Sequence, residues 1–300
     1  MSRMLHSLRG IPQSITSKQL PRLKMSTTMQ EASRLQKALK KGGPTFGAWQ
    51  MLPGSNVSRS MARTGVDWVV VDCEHGNIDD GQMHEAVAAL AACGVSPVVR
   101  IAANEPWMVK RALDSGAHGI LVPLLYTQAD AARLVSSAKF PPQGTRGFGS
   151  PFPMEKFHPS LTTQDYLLQA NTSLTTIVQI ETKEALANVD AIAATEGVDV
   201  LLVGPFDLGN NIGHPILNGK MHDNLTKAID SILAAAQKAG KSTGIYCTSG
   251  EQSKHFADKG FNMISVAADM IALPTYLSET LKKAKGESGS VEKITGPYGR

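Results

Sequence analysis

Residues 68–73 read WVVVDC and residues 200–204 read VLLVG. Both runs are rich in β-branched residues and apolar almost throughout, with no alternation between polar and apolar positions. Strands of this kind are buried on both faces, as parallel strands covered by helices are. The two runs therefore predict a parallel sheet covered by helices, that is, a fold of the α/β class.

Similar runs alternate with helical stretches along the chain from residue 45 onwards. The predicted strands are Thr45–Gln50, Trp68–Cys73, Pro97–Ile101, Gly119–Leu124, Thr175–Glu181, Val198–Gly204, Ser242–Cys247 and Asn262–Ala267. The predicted helices are Val57–Thr64, Gly81–Ala92, Pro106–Ser115, Gln128–Lys139, Lys183–Glu196, Asp223–Ala239, Glu251–Lys259 and Ala272–Lys285. Eight such units favour a (β/α)8 TIM barrel. The alternative, an open doubly wound sheet, would be supported by a G-x-G-x-x-G turn after the first strand, and none is found there.

The barrel is expected to form a single domain over residues 43–285, between a leader and a tail. Residues 1–42 hold the leader and the start of the first helix, and residues 1–30 carry five basic residues and no acidic one. This composition is typical of a mitochondrial transit peptide or of a disordered tail. Met25 offers a second start, so the expected location is mitochondrial or cytoplasmic. Residues 286–300, rich in Gly and Ser, predict a disordered tail.

The folded part of the chain is close to neutral. The net charge is +4, and removing the five basic residues of the leader leaves 4 − 5 = −1. Nucleic-acid binding therefore has no electrostatic support. No apolar run approaches the length of a bilayer span, which argues against a membrane protein. The three cysteines lack metal-ligand spacing and are interpreted as small buried hydrophobic residues.

The long connection over residues 140–174 interrupts the rhythm of strands and helices. It begins with the Gly- and Pro-rich run PPQGTRGFGSPFP (141–153). Loops of this length inside a compact domain are usually functional. We therefore expect this one to lie over the active-site end of the barrel.

Ionisable side chains follow several of the predicted strands, at the end of the barrel where catalytic groups cluster in this fold. They are Asp72, Glu74 and His75 after the second strand, Arg100 at the third, Glu181 at the fifth and Asp207 just after the sixth. Four of the eight strand ends thus present such residues, which predicts an active site at this rim.

Glu181 and Asp207 follow neighbouring strands, so their carboxylates should lie close together. Two unpaired carboxylates at short range raise each other's pKa, and a divalent cation removes the conflict. Oxygen ligands of this kind suit Mg²⁺ or Mn²⁺. The alternatives are that each pairs with an arginine, or that Asp207 caps the following helix.

Arg100 and His75 are the other two candidates for chemistry at the rim. Arg100 ends an apolar strand, where its planar guanidinium could meet a substrate carboxylate or form an ion pair with Glu74 or Asp72. His75 could carry a proton near neutral pH, or be structural. No lysine falls at a strand end, which disfavours a Schiff-base aldolase.

Several longer runs resemble the HpcH/HpaI class II pyruvate aldolases. These are VDCEHG (71–76), PVVR (97–100), KRALDSGAHGILVP (110–123), PPQGTRGFG (141–149), VQIET (178–182) and VGPFDLG (203–209). Within that family, GPTFGAWQMLPGSNVSR (43–59), DCEHGNIDD (72–80) and GPFDLGNNIG (204–213) look most like the fungal macrophomate synthase-like members. The resemblance implies a TIM barrel of the phosphoenolpyruvate/pyruvate-domain type. It also implies a homohexamer, a trimer of dimers that exchange their C-terminal helices.

The resemblance further implies a role for each rim residue. Glu181 and Asp207 would hold Mg²⁺, Mn²⁺ or Co²⁺, and Arg100 would bind the carboxylate and enolate oxygen of pyruvate, supported by Gln179. His75 would be the acid/base residue in a dyad with Asp114. Asp72 and Glu74 would orient the rim and its waters.

The pocket for a second substrate is the feature that separates members of this family. Trp68, Phe148 and Tyr166 match positions that shape it in macrophomate synthase-like members. Phe206 replaces the small residue typical of bacterial aldolases, so its ring should reshape the aldehyde side and favour the macrophomate-type pocket.

The expected function is a metal-dependent lyase that makes pyruvate enolate from a small 2-oxo acid. The enolate would arise by retro-aldol cleavage of 4-hydroxy-2-oxo acids or by decarboxylation of oxaloacetate. One alternative is macrophomate synthase-type addition of the enolate to a 2-pyrone, with cyclisation, in secondary metabolism. A non-enzymatic alternative is an inactive oligomeric scaffold. That alternative predicts loss of the rim charges, yet all of them are present.

Overall fold

Eight parallel strands close into a barrel in the computed structural model, which describes residues 28–287 and 296–297. The strands are β1 (Thr45–Gln50), β2 (Trp68–Asp72), β3 (Ser96–Arg100), β4 (Gly119–Val122), β5 (Thr175–Ile180), β6 (Val200–Val203), β7 (Ser242–Ile245) and β8 (Met263–Ala268). Each strand pairs with its sequence neighbours, and β8 pairs with β1. The predicted (β/α)8 barrel is confirmed, and every predicted strand is present to within two residues.

Helices surround the barrel and follow its strands. They are α1 (Thr28–Ala32), α2 (Arg34–Lys41), α3 (Ser55–Ala62), α4 (Asp80–Ala92), α5 (Pro106–Asp114), α6 (Gln128–Ala138), α7 (Thr163–Ser173), α8 (Lys183–Ala187), α9 (Val189–Ala193), α10 (Pro205–Asn211), α11 (Asp223–Lys238), α12 (Gly250–Lys259) and α13 (Asp269–Ala284). The predicted helix Lys183–Glu196 is divided at Asn188, and α7 and α10 were not predicted. In the part of the chain that the structure describes, no helix is long and apolar enough to cross a membrane.

The predicted leader and tail fall largely outside the described residues. Residues 1–27 carry the transit-peptide prediction and the second start at Met25, so neither has a structural counterpart here. Residues 288–295 and 298–300 of the predicted tail are outside as well. The boundaries at residues 43 and 285 stay predictions.

The strands alternate between two hydrophobic cores. In β2, Val70 points into the barrel with Val98 and Leu121, while Val69 and Val71 pack against the helices. This alternation is the two-residue period of a strand, and both sets are apolar because both faces are covered. The apolar runs quoted above are therefore explained by burial on both sides.

The amino end of the barrel is closed by α2 and by the long connection. Leu35 of α2 lies in the interior core, and its N–H donates to Ser96 Oγ over 3.1 Å. His118 lies beside Ser96 and contacts the carbonyl oxygen of Lys156 through Nε2 at 3.0 Å. Since that carbonyl can only accept, Nε2 carries the proton, and Nδ1 accepts from the Ser96 hydroxyl at 3.3 Å. The neutral ring fits this position.

Acid should lower the free energy of unfolding because of the buried His118. Burial lowers the pKa of His118 from 6.5 to about 4. The unfolded chain therefore binds this proton first, so the contribution of His118 to stability is complete above pH 6.5 and is lost between pH 6.5 and about pH 4. Between pH 7.5 and pH 5 the loss should be about 2 kcal/mol. Urea unfolding of the wild type and of His118→Gln at both pH values measures it, and equal pH dependence in the two proteins would contradict this account.

Candidate active site

One cavity at the carboxyl ends of the strands brings together several of the predicted rim residues. Its lining consists of Trp49, Arg100, Gln179, Gly204, Pro205, Phe206, Asp207, Tyr246 and Pro297. Arg100, Gln179, Phe206 and Asp207 were all predicted from the sequence to lie at one site. The other residues predicted for the site either surround these four or lie elsewhere in the structure.

Asp72 is the buried anchor of this rim. Its carboxylate is fully buried and accepts from Arg100 Nε at 2.9 Å and Nη2 at 2.5 Å. The indole N–H of Trp49 donates to it at 3.2 Å. The backbone N–H groups of Glu74 and His75 also donate to it, at 3.0 and 3.2 Å. One carboxylate thus fixes both the guanidinium plane and the turn that follows β2.

Arg100 forms the ion pairs that were the alternative to substrate binding, and it lines the cavity as well. Its Nη1 lies 3.1 Å from Glu74 Oε2, and its guanidinium carbon lies 5.3 Å from the centre of the Trp49 ring. Burial raises the pKa of Glu74 to about 7, although the charge on Arg100 opposes the shift. Because its plane is fixed by Asp72, Arg100 presents a positive charge to the cavity in one orientation.

Glu181 follows β5 and is held by two donors. The backbone N–H of Leu124 donates to Oε1 at 2.8 Å, and the amide of Gln179 donates to Oε2 at 2.5 Å. Leu124 has φ +48°, a left-handed conformation that is unfavourable for a residue other than glycine. Burial raises the pKa of Glu181 to about 7, and the charge on Asp207 adds to the shift. The carboxylate of Glu181 is therefore buried, and it accepts a hydrogen bond from a residue whose backbone is strained.

Asp207 lies in the first turn of α10, as its third residue. The cap position of α10 is occupied by Gly204, so Asp207 does not cap the helix, which was one alternative from the sequence. A carboxylate in the first turn is stabilised by the helix dipole. Asp207 lines the cavity.

The donor set fits a hard divalent cation. Glu181 and Asp207 supply carboxylate oxygens, and within the described residues the buried Gln179 Oε1 has no hydrogen-bond partner. Oxygen ligands are those that Mg²⁺ and Mn²⁺ prefer. No group of three or more His, Cys, Asp or Glu side chains suited to a metal occurs in the described part of the chain. The protein would thus supply two carboxylates and leave the other positions to water and substrate, as is usual for Mg²⁺.

Comparisons with known proteins identify the family of the chain. The profile of the HpcH/HpaI aldolase/citrate lyase family matches residues 46–274. The chain belongs to this family. It is 34% identical to a hydroxypyruvate/pyruvate aldolase of Rhizorhabdus wittichii, over 81% of this chain and 95% of the relative. It is 37% identical to a 5-keto-4-deoxy-D-glucarate aldolase of Salmonella paratyphi C, over 79% and 92%.

Macrophomate synthase is a structural neighbour of this family member, as the sequence motifs predicted. Its crystal structure aligns with a TM-score of 0.73 and 25% identity, over 85% of this chain and 89% of that one. This identity is lower than those with the two aldolases. Because both curated relatives are aldolases, the chain is a carbon–carbon lyase of the HpcH/HpaI family.

The predicted dyad of His75 and Asp114 does not form within the chain. His75 lies half-exposed at the rim, with Nε2 3.7 Å from Glu74 Oε1. Asp114 ends α5, which runs back to the amino end of the barrel, and there it accepts from Arg146 Nη2 at 2.8 Å. The two residues lie at opposite ends of the barrel because one follows a strand and the other ends the helix after the next strand.

The connection over residues 140–174 also lies at the amino end, so its predicted position over the active site is wrong. It joins α6 to the start of β5, and such a connection ends where the strand begins. Phe148 is accordingly exposed there, edge-on to Phe140 at 5.5 Å. Tyr166 is buried, and its hydroxyl accepts from Arg146 at 3.2 Å. Neither contributes to this chain's own cavity.

Trp68 was likewise predicted for the second-substrate pocket and lies elsewhere. It is the first residue of β2, at the amino end, and its buried indole donates to Thr45 Oγ1 at 3.0 Å. The first residue of a strand lies at the opposite end from the rim. The tryptophan in the cavity is Trp49 instead.

Trp49 and Tyr246 are the aromatic cavity residues that the sequence reasoning missed. Their rings meet edge-on with centres 5.0 Å apart, and Phe206 lies 6.4 Å from Tyr246. Both occupy the carboxyl ends of predicted strands, so the rule that found Arg100 could have found them. The search for ionisable side chains passed over these aromatic ones.

Gly204 should be required for the position of Glu181. A Cβ at this residue would lie 2.3 Å from Glu181 Oε2 and 2.8 Å from Gln179 Nε2. Gly204→Ala should therefore displace both side chains and lower the affinity for Mn²⁺ by about 10- to 100-fold, the usual effect of disturbing the supports of a ligand. Gly250→Ala, where a Cβ meets open space, is the matched control. Equal Mn²⁺ affinity in the two variants, measured by calorimetry, would contradict the role of Gly204.

Proposed function

We propose that this family member is a metal-dependent lyase that forms pyruvate enolate from 2-oxo acids. The reaction would be retro-aldol cleavage of 4-hydroxy-2-oxo acids, decarboxylation of oxaloacetate, or both. The observation that carries the proposal is the carboxylate pair Glu181 and Asp207 beside the fixed charge of Arg100. The oxygen-only donor set supports Mg²⁺, with Mn²⁺ or Co²⁺ as substitutes.

The chain's own residues have distinct parts in this reaction. When bound, the ion supplies Lewis-acid stabilisation for the developing negative charge. Arg100 binds the substrate carboxylate and faces the enolate oxygen, where a preorganised positive charge lowers the barrier. Gln179 orients the substrate through its amide. Asp72 is a positioning residue, since it acts on the substrate through Arg100.

His75 is the proposed proton carrier at the rim. It is half-exposed and near Glu74, so a proton can pass between solvent and the cavity mouth. The aromatic residues Trp49, Phe206 and Tyr246 line the cavity and exclude water from the reacting atoms. Protonation of the enolate carbon by a residue at the mouth would complete the formation of pyruvate.

The names of the two relatives support the aldol reaction over decarboxylation. One acts on hydroxypyruvate and pyruvate, and the other on 5-keto-4-deoxy-D-glucarate, as their names state. Removal of the metal provides the test. The protein treated with EDTA should lose cleavage of a 4-hydroxy-2-oxo acid and of oxaloacetate, and Mg²⁺, Mn²⁺ or Co²⁺ should restore it. Undiminished turnover in EDTA would overturn the proposal.

A second candidate function is enolate addition to a 2-pyrone with cyclisation. The aromatic wall of Trp49, Phe206 and Tyr246 favours it, because a flat ring can pack against aromatic faces. Product analysis with oxaloacetate and a 2-pyrone distinguishes the two reactions. A bicyclic adduct would support addition, whereas pyruvate as the only product would count against addition and favour the lyase reaction.

We further propose that the chain assembles as a homohexamer, a trimer of dimers. The support is an exposed apolar face on α13, formed by Met270, Leu273, Tyr276, Leu277 and Leu281. Contiguous exposed apolar surface of this kind usually marks a protein interface. In such an assembly Asp114 and Phe148 could reach only the site of another copy. Sedimentation analysis tests it, and a monomer at micromolar concentration would contradict it.

A further inference from the structure

Leu124, two residues after the end of β4, has an unfavourable backbone conformation. Its φ is +48°, in the left-handed region that leucine rarely adopts. Among the residues that the structure describes, Asn218 is the only other residue besides glycine with a positive φ. Asparagine is several-fold enriched in that region, so Asn218 is the ordinary case and Leu124 the exception. Strain of this kind persists only where the surrounding structure holds it, and it is concentrated at functional sites.

The surroundings of Leu124 fix the chain through its own N–H and through the residue that follows. The N–H of Leu124 donates to Glu181 Oε1 at 2.8 Å. The next residue, Leu125, is buried in the core between the barrel and its helices. Its carbonyl oxygen accepts from Thr182 Oγ1 at 3.4 Å. Two successive residues of the β4–α6 connection are thus bonded to Glu181 and to the residue after it.

The bond from Leu124 determines how the carboxylate of Glu181 is presented. Glu181 accepts one hydrogen bond on each oxygen, from this N–H and from the amide of Gln179. A carboxylate has about two lone pairs on each oxygen. The two donors therefore fix the plane of the carboxylate and leave a lone pair on each oxygen for an ion. The side chain of Leu124 is half exposed, so the contact with Glu181 is made by the backbone alone.

We propose that Leu124 is a positioning residue for the metal site, because its left-handed backbone directs the N–H that holds Glu181. The inference rests on the proposed function only for the presence of the ion. Residue 124 must then tolerate a positive φ. Asparagine adopts this conformation readily, whereas a β-branched residue is an outlier there. The backbone preference of residue 124 should therefore matter more than the chemistry of its side chain.

Calorimetric titration with Mn²⁺ tests the effect on the site. Leu124→Val should lower the affinity by about 10- to 100-fold, the usual effect of disturbing the support of a metal ligand. Leu124→Asn should retain wild-type affinity, although it changes an apolar side chain to a polar one. The matched control is Asn218→Val, which strains the other left-handed residue, in the connection after α10, and should leave the affinity unchanged. Wild-type affinity in Leu124→Val, or an equal loss in Leu124→Asn, would overturn the proposal.

Amide hydrogen exchange of the metal-free proteins tests the bond itself. The N–H of residue 124 should be protected in the wild type and in Leu124→Asn. Its exchange should be about 10-fold faster or more in Leu124→Val and in Glu181→Ala, because the hydrogen bond to the carboxylate is lost. Equal exchange in the wild type and in Glu181→Ala would overturn the proposal. Absence of Mn²⁺ binding in every protein would count against the proposed function instead, and the exchange rates would still decide whether Leu124 holds Glu181.

Discussion

Glu181→Gln and Asp207→Asn are each expected to lower kcat/KM for carbon–carbon cleavage by about 10³-fold or more. Each change removes one of the two carboxylates proposed to hold the ion, and the Lewis-acid contribution of an ion is worth several kcal/mol. A 10³-fold loss corresponds to about 4 kcal/mol of transition-state stabilisation. Initial rates with oxaloacetate and with a 4-hydroxy-2-oxo acid, at saturating Mg²⁺, measure the effect.

Glu184→Gln is the matched control for these variants. Glu184 lies three residues after Glu181 but is exposed on α8, so its substitution should leave kcat/KM unchanged. The barrel should remain folded in all three proteins, because the buried strands are untouched. Turnover within tenfold of wild type in Glu181→Gln would remove that carboxylate from the mechanism.

Asp72→Asn should lower both the stability of the fold and the activity. In either orientation the asparagine NH2 would face an N–H group of Arg100, because both carboxylate oxygens of Asp72 accept from this guanidinium. In one orientation it would also face the two backbone N–H groups that now donate to Asp72. Breaking a buried ion pair by removing one partner costs about 3–5 kcal/mol. Because Arg100 would lose its fixed plane, kcat/KM should also fall by about 10²-fold. Urea unfolding and steady-state kinetics measure the two effects.

Asp80→Asn tests whether burial of the ion pair is the reason that Asp72→Asn loses stability. Asp80 pairs with Arg111 at 2.7 Å, but both side chains are about half exposed. A surface ion pair contributes about 0–1 kcal/mol. Similar losses of stability in Asp72→Asn and Asp80→Asn would contradict the assignment of Asp72 as the buried anchor.

The barrel could be predicted from sequence because its strands carry a strong local signal. Runs such as residues 68–73 are apolar throughout, as parallel strands buried on both faces are in doubly wound sheets and in barrels. The number of such units, eight, favoured the barrel. The division at Asn188 and the short helix α10 carry weaker signals, since a few residues are enough to form or end a helical turn. Such details depend on packing that the local pattern does not contain.

The rim residues on strand ends were predictable for the same topological reason. Arg100, Glu181 and Asp207 needed only the rule that the carboxyl ends of parallel strands meet at one edge. The errors arose where that rule was set aside. Phe148 and Tyr166 belong to a connection that leads into a strand, so direction along the chain already places them at the amino end, and loop length alone was a poor guide.

Two features gave no signal in the sequence at all. The bond from Tyr246 to Pro297 spans 51 residues and leaves no periodicity in either segment. The left-handed conformation of Leu124 also has no signal in the sequence, because leucine does not favour this conformation. Both features depend on the closed barrel and are visible only in three dimensions.

Binding of Mn²⁺ to the protein tests the central claim most directly. Calorimetric titration of metal-stripped wild type should give one ion per chain, and the double variant Glu181→Gln/Asp207→Asn should give none at the same concentration. Binding of Mn²⁺ to the double variant with wild-type stoichiometry and affinity would contradict the proposal that these two carboxylates hold the ion.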